Sequence, residues 1–337
     1  MSKMHINIPA STWRFWGAKP QKMNATSVGF CALGISIAAG STFGVFAKSL
    51  TGALSPMALV FVSELLTGFF VLFSFGFVPT IKELIKLKRR SFFPLLTFGV
   101  LAGILGPLLW FTGLHVTTVV NAALLEKLNV VILTLFAVTL LGERVSARHG
   151  LAVIATLIGA AFIALEGFTA GFSLRAGDLI ILAATTCFAL SSIVIRLYLK
   201  NVEPHLVLLS RSTFAILFFF LLSPFIEHPF ISEVRNFPTS LVPTLIGFAF
   251  VSRFISGFSY YQAVERLPIT TVSIAGPLDT IGALALSYWY LGESIEWYHF
   301  IGGGCIILGV ILLEVLGAHP SEEKHKQTLK HRIHHRP

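Results

Sequence analysis

Long apolar stretches separated by short polar or basic segments recur ten times along this chain: residues 26–47, 56–78, 92–113, 118–141, 150–168, 177–197, 205–224, 240–263, 270–291 and 298–316. They reach or approach the roughly 20 residues that an α-helix needs to cross the hydrocarbon core of a bilayer. Helices are demanded there because lipid offers no partner for backbone N–H and C=O groups, and a helix satisfies them internally. The pattern predicts an all-α integral membrane protein with ten transmembrane helices. It is preceded by a segment at 1–25 and followed by a basic, His-rich tail at 317–337.

Two of the stretches are written alike. Residues 124–143 (LLEKLNVVILTLFAVTLLGE) and 274–293 (IAGPLDTIGALALSYWYLGE) align without a gap, 150 positions apart, and both close on Leu-Gly-Glu. At the same spacing Phe111–Leu114 falls on Tyr261–Val264, His149 on His299 and Gly159 on Gly309. Earlier in the chain Lys48 falls on Arg196 and Ser55-Pro56 on Glu203-Pro204, 148 positions apart, so a two-residue insertion precedes the eighth span. The chain therefore reads as one module at 26–168 and a second at 177–316. Five spans per module is an odd number, so the two must lie upside down relative to each other. In secondary transporters that symmetry generates two alternating conformations around a site near the midplane. The competing structural reading is a duplication that merely enlarges a passive bundle.

Composition agrees. The chain is 55% hydrophobic and 12% charged, against roughly 45–50% and 25% for soluble domains, and its mean hydropathy is +0.80. The net charge of +9 could suggest nucleic acid, but the positions of the charges argue otherwise. Nineteen of the 25 Lys and Arg residues lie in the N-terminal segment, the loops after spans 2, 4, 6 and 8, and the tail; three (Lys48, Arg175, Arg235) lie on the other side. By the positive-inside rule both termini are cytoplasmic, in a plasma (inner) membrane. The two Leu-Gly-Glu loops agree, since Arg144 and Arg148 follow the first and no base occurs in Ser294–Tyr298 after the second. The basic ends would rest on anionic lipid, at about 1 kcal/mol per base. No apolar run with a small-residue cleavage site precedes the first span, so no cleavable signal is expected. Cys31, Cys187 and Cys305 are odd in number and lack metal spacing, which makes them small packing residues. No Walker A, GxSxG, HExxH or CxxC sequence occurs, so ATP-driven pumping and common hydrolytic chemistry are unsupported. No cofactor, functional metal or nucleic-acid partner is expected, and His325, His331, His334 and His335 of the tail would bind metal only adventitiously.

Six ionisable residues fall well inside spans: Glu64, Glu126, Lys127, Arg211, Arg253 and Asp279. A charge at the bilayer centre costs about 3 kcal/mol. Six left uncompensated would cost nearly 20, against roughly 5–15 kcal/mol of typical net stability. They must face protein, water or each other. On span 9, Ser273, Gly276, Asp279, Ala283 and Ser287 form a narrow small-and-polar stripe, mirrored on span 4 by Ala123, Glu126, Asn129, Leu133 and Ala137. On span 8, Arg253, Gly257 and Tyr260 share a face, mirrored on span 3 by Gly103, Pro107 and Trp110. These faces describe a cavity with Arg253 and Asp279 at mid-depth and aromatic walls from Trp110 and Tyr260. Arg253 would receive a substrate carboxylate or other anion, to which its planar fork is suited. Asp279, Glu126 or Glu64 would receive a proton or a substrate ammonium, since carboxylates in low dielectric exchange protons near neutrality. The expected binding set is Arg253, Asp279, Glu126, Asn129, Trp110 and Tyr260, with Glu64, Glu126 and Asp279 as coupling candidates. A structural reading instead pairs Arg253 with Asp279, and Glu126 with Lys127 or Glu64. Glu64 and Arg211 occupy matched repeat positions, but inversion puts them about six residues apart in depth, roughly 9 Å at 1.5 Å per residue. No direct bridge between them is expected.

Other features read simply. Gly40 with Gly44, and Gly99 with Gly103, are small-xxx-small packing pairs. Pro107 and Pro277 would kink spans 3 and 9 and are candidate gating hinges. Glu143 and Glu293 would cap the turns after their own helices. Phe218-Phe219-Phe220 reads as lipid-facing bulk, and Tyr288-Trp289-Tyr290 with Trp297-Tyr298 as the outer aromatic belt.

The Pro56 start of span 2, the polar opening of span 4 (Thr117-Thr118-Val119-Val120-Asn121-Ala122-Ala123-Leu124-Leu125) and Leu-Gly-Glu-Arg at 141–144 carry a resemblance. With Leu-Gly-Glu doubled at the ends of spans 4 and 9, residues 26–316 resemble an EamA-type carrier of the drug/metabolite transporter superfamily. The resemblance implies a ten-helix fold with a central cavity that moves small metabolites by alternating access, export being the favoured direction. Family members often carry an acidic-Pro pair ahead of the motif; here those places hold Asp279-Thr280 and Asn129-Val130, without the proline. The expected function is secondary transport of small polar or amphipathic metabolites, such as amino acids, their relatives or drugs. Protons are the candidate coupling ion, lipids the surroundings, and a monomer or homodimer the assembly. The alternative is an intramembrane enzyme acting on a lipid-linked substrate.

Overall fold

The computed structural model describes residues 25–87, 89–129, 131–132, 135–136, 139, 147–166, 175–199, 202–225, 230–267, 272, 275 and 278–317. Every regular element among them is helical. Each of the ten apolar stretches contains a helix: α1 (Thr26–Thr51), α2 (Pro56–Phe75), α3 (Arg90–Val116), α4 (from Val119–Glu126), α5 (Ala147–Ala164), α6 (Ala176–Leu199), α7 (His205–Phe225), α8 (Thr239–Tyr260), α9 (Leu278–Leu286, continued by Ser287–Leu291) and α10 (Trp297–Gly317). Helices α1, α2, α3, α6, α7 and α8 are long and apolar enough to cross a membrane, and the apolar lengths of α5 and α10 are shorter. The outside is apolar as well, with Phe73, Phe93, Leu221 and Phe300 exposed, as suits side chains that meet lipid tails. The chain is an integral, multi-pass membrane protein.

Helix starts follow their local chemistry. Pro56 and Pro204 occupy first-turn positions, where the missing N–H would have had no partner anyway. The Ser55 hydroxyl accepts from Ala58 N, and the Thr118 hydroxyl from Asn121 N. Helices α3 and α8 both widen to a π-helical path at corresponding places, Gly99–Leu105 and Phe248–Ile255. Such widenings recur at functional sites. Pro107 follows directly behind the first of them, within one continuous helix from Arg90 to Val116.

Packing pairs α1 with α8, α3 with α6, α2 with α7, α4 with α9 and α5 with α10. Exchanging the first five helices for the last five maps this set onto itself. Small residues permit the closest approaches: a β-carbon on Gly302 would lie 2.7 Å from the Gly159 carbonyl oxygen of α5. The principal core draws on both halves, with Leu50, Leu59, Phe111 and Leu125 buried against Ile181, Phe219, Phe248 and Ile306. Phe219 departs from the expected lipid-facing triplet. Its neighbours Phe218 and Phe220 are exposed while Phe219 is fully buried, because successive helical residues point about 100° apart.

Candidate functional site

The intramembrane charges gather into two triads, and their pairing differs from both sequence expectations. Glu64 of α2 is fully buried. Its Oε1 pairs with Arg253 Nη2 of α8 and lies 3.3 Å from Arg211 Nε of α7. Its Oε2 accepts from Ser212 Oγ at 2.6 Å and from Arg211 Nη2 at 3.4 Å. The bridge between Glu64 and Arg211, judged out of reach from depth alone, therefore forms. Membrane helices tilt by about 20° on average, and an extended arginine spans several ångströms, so a difference in register does not translate into a gap. Arg253 also donates to Ser63 Oγ at 3.2 Å and lies over the Phe248 ring. Arg211 reaches this place because α3 offers no side chain against it: a β-carbon on Gly103 would meet Arg211 Cγ at 2.8 Å.

Asp279 does not pair with Arg253. Its Oδ1 is 2.8 Å from Lys127 Nζ, across α4 and α9. Thr280 Oγ1 donates to the same oxygen at 3.2 Å, and Ser41 Oγ of α1 donates to the Asp279 carbonyl at 3.0 Å. Glu126 stands beside this pair with no ion-pair partner of its own among the described residues. Close to it, the buried Trp110 indole N–H interacts with the Glu126 carboxylate without closing a hydrogen bond of full geometry.

Two adjoining cavities of about 280 Å³ each lie between these triads. Glu126, Lys127, Trp110 and Asp279 line the first; Arg211, Arg253, Tyr260 and Asp279 line the second; Gly40, Ser256 and Asp279 belong to both. Helix α1 is held against them by Thr42 Oγ1 and Ser252 Oγ at 2.6 Å and by reciprocal Ser36 and Ser256 hydroxyl-to-carbonyl bonds. Five of the six residues expected to bind substrate thus line this pair of cavities. Asn129 does not line it, although its Oδ1 is buried without a partner. Glu64 lies behind the arginines, Pro107 is buried in α3, and Pro277 lies outside the described residues. Of the two mirrored stripes, Ala123, Glu126, Asp279 and Ala283 line the first cavity, Ser287 is buried elsewhere, and Ser273, Gly276, Leu133 and Ala137 lie outside what is described.

A second polar assembly, missed in the sequence, ties the helix ends beyond the first cavity. Asp178 at the start of α6 accepts from Thr117 Oγ1 and Asn121 Nδ2, and Asn121 Oδ1 is 2.9 Å from His299 Nε2 of α10. Because His299 Nδ1 accepts from Glu296 N at 2.9 Å, its Nε2 carries the hydrogen and donates to Asn121. Lys48 Nζ donates to the Leu114 and Thr117 carbonyls. Glu293 does not cap the turn behind its own helix: its two oxygens accept from Val119 N and Val120 N, at 2.9 and 3.1 Å, and so cap α4. Glu233 likewise accepts from Ser55 N ahead of α2, at 2.7 Å. Most of these bonds join residues before 170 to residues after it. The available signals were Asp178 at a span edge and the polar run Thr117–Asn121. Glu143, the counterpart of Glu293, lies outside the described residues.

A helical membrane-embedded fold with paired charges around an internal cavity is the class of multi-pass transport proteins. The chain belongs to the EamA-like transporter family, whose model matches residues 13–165 and 175–315. It is 25% identical over 287 residues to "Uncharacterized transporter YyaM" of Bacillus subtilis, covering 83% of this chain and 90% of that one. It is 25% identical over 246 residues to "Uncharacterized transporter YetK" of the same organism, covering 69% and 71%. A crystal structure of a protein shares the fold, with a TM-score of 0.55 over 87% of this chain and 97% of the other, at 20% identity.

Proposed function

We propose that the protein is a secondary transporter of ten spans, built from inverted repeats at 26–168 and 177–316, which carries small polar or amphipathic metabolites by alternating access. Amino acids and their relatives are the favoured substrates and export the favoured direction, from a plasma membrane with both termini in the cytoplasm. The observation that carries this reading is the meeting of six intramembrane charges, three from each half, around two adjoining cavities. A passive bundle has no use for charges costing about 3 kcal/mol apiece in lipid. The symmetric helix pairing and the corresponding π-helical turns in α3 and α8 support the repeat. The cross-half bonds at Asp178, Asn121, His299 and Glu293 tie together the end that the charge distribution places outside. Arg253 receives the substrate's anionic group, and Glu126 its cationic group or a proton. The test is flux into proteoliposomes from a mixed metabolite panel, with and without a pH gradient. At least one compound is expected to move faster than in protein-free liposomes, and Arg253→Gln and Asp279→Asn are expected to lose that movement while still inserting. Normal flux in both variants would remove the site.

A further inference from the structure

We infer that the joint between α4, α6 and α10 is a latch worked by a proton: His299, neutral while it holds Asn121, lets go when it is protonated from the end that the charge distribution places outside. The inference rests on the transport reading above and adds to it what makes that end part.

Two bonds fix the state of the ring. The Glu296 amide donates to His299 Nδ1 at 2.9 Å, and His299 Nε2 lies 2.9 Å from Asn121 Oδ1. A ring nitrogen that accepts an N–H bond carries no hydrogen of its own, so the imidazole is neutral and donates through Nε2. Asn121, its oxygen thus occupied, turns its Nδ2 to Asp178, which also accepts from Thr117 Oγ1. Each member of this line sets the role of the next. A proton added at Nδ1 would set two N–H groups against each other, and the ring would have to leave the Glu296 amide. The proton therefore binds where the joint has loosened and not where it is tied. A ligand shifts an equilibrium toward the state that binds it better, so acid on that side favours parting.

The surroundings agree. His299 is 4% exposed, and a charge formed there without a partner is costly enough to drive the ring out. Among the described residues the charged groups acting on it are Glu296 on its own stretch of chain, Glu166 at the end of α5 and Arg175 ahead of α6. Asp178 of α6 stands beyond Asn121, and the Tyr298 ring lies 4.3 Å away. Glu166 is engaged by Arg175, which leaves the exposed Glu296 carboxylate to receive the imidazolium. The repeat gives this arrangement to one end alone. At the spacings found in the sequence His149 stands for His299, but Thr271 stands for Asn121, Ser146 for Glu296 and Phe30 for Asp178. The opposite end has the histidine without the amide and carboxylates that would make it a latch.

The experiment uses the full chain in liposomes, with Cys31, Cys187 and Cys305 replaced and spin labels on cysteines at Val116 and Ser294, two exposed positions flanking the joint. Distances between the labels are read by pulsed electron resonance at a pH of about 8 and of about 5.5, either side of the ~6.5 of a free imidazole. The longer-distance population is expected to rise about fivefold on acidification. His299→Gln, whose side chain takes no proton in this range, should show one distribution throughout. Asn121→Ala removes the ring's partner and should also lose the response, which decides the matter where the glutamine variant fails to fold. Wild-type distances that ignore pH, or a shift that persists in either variant, would overturn the latch. So would a shift kept by His299→Gln and abolished by Glu126→Gln, which would put the proton in the cavity. The distances need no substrate and are read apart from flux. Flux without the shift would overturn this inference alone; a shift without flux of any compound in the metabolite panel would overturn the transport reading and leave the proton-worked joint.

Discussion

Glu64 is the counter-charge on which two guanidiniums depend, and it has no exposure to solvent. Removing one partner of a buried ion pair leaves the other uncompensated, a loss of about 3–5 kcal/mol. Glu64→Gln is therefore expected to lower the detergent-solubilised melting temperature sharply. Adding Arg253→Gln should recover part of that loss, and an additive double variant would show that the two do not interact. The identities of these charges were legible in the sequence, because any ionisable residue within an apolar stretch stands out. Their partners were not. Depth along a span ranks residues by height, yet pairing also depends on tilt and on azimuth around each helix, neither of which a hydropathy pattern records. The assignment of Asp279 to Lys127 rather than Arg253 is the clearest case.

At the scale of elements, α4 begins with two amides satisfied by Glu293 from beyond α9. The first N–H groups of a helix have no partner within it, and a negative charge there also suits the helix dipole. Replacing a capping side chain typically costs about 0.5–2 kcal/mol, so Glu293→Ala should destabilise modestly by thermal denaturation. In labelled protein it should also raise the reactivity of a cysteine placed at Val119, and unchanged reactivity would separate the cap from closure of that end. The repeated Leu-Gly-Glu was the strongest signal in the sequence, and it located Glu293 at a helix end. Which helix Glu293 would serve was hidden, because the recipient lies more than 170 residues earlier and is set by packing. Helix positions themselves were read closely: α2 (Pro56–Phe75) sits where 56–78 was expected, and α7 (His205–Phe225) where 205–224 was.

For the whole molecule, the halves are bonded at one end through Asp178, Asn121 and His299. At the other end Glu83 lies 3.0 Å from His205, at an exposed edge. In a carrier that works as proposed, the first of these ends must part during each cycle. Cysteines replacing Asn121 and His299, in a chain without Cys31, Cys187 and Cys305, should cross-link on oxidation and stop flux until a reductant is added. Full-rate flux with complete cross-linking would mean that this end never opens.

The borrowed cap on α4 adds a constraint on that parting. When Glu293 withdraws, the Val119 and Val120 amides lose their acceptors together. Incoming water would replace those bonds, so separation and wetting go together. The turnover of such a carrier would then answer to the activity of water itself, slowing when osmolytes too large to enter the crevice draw solvent away.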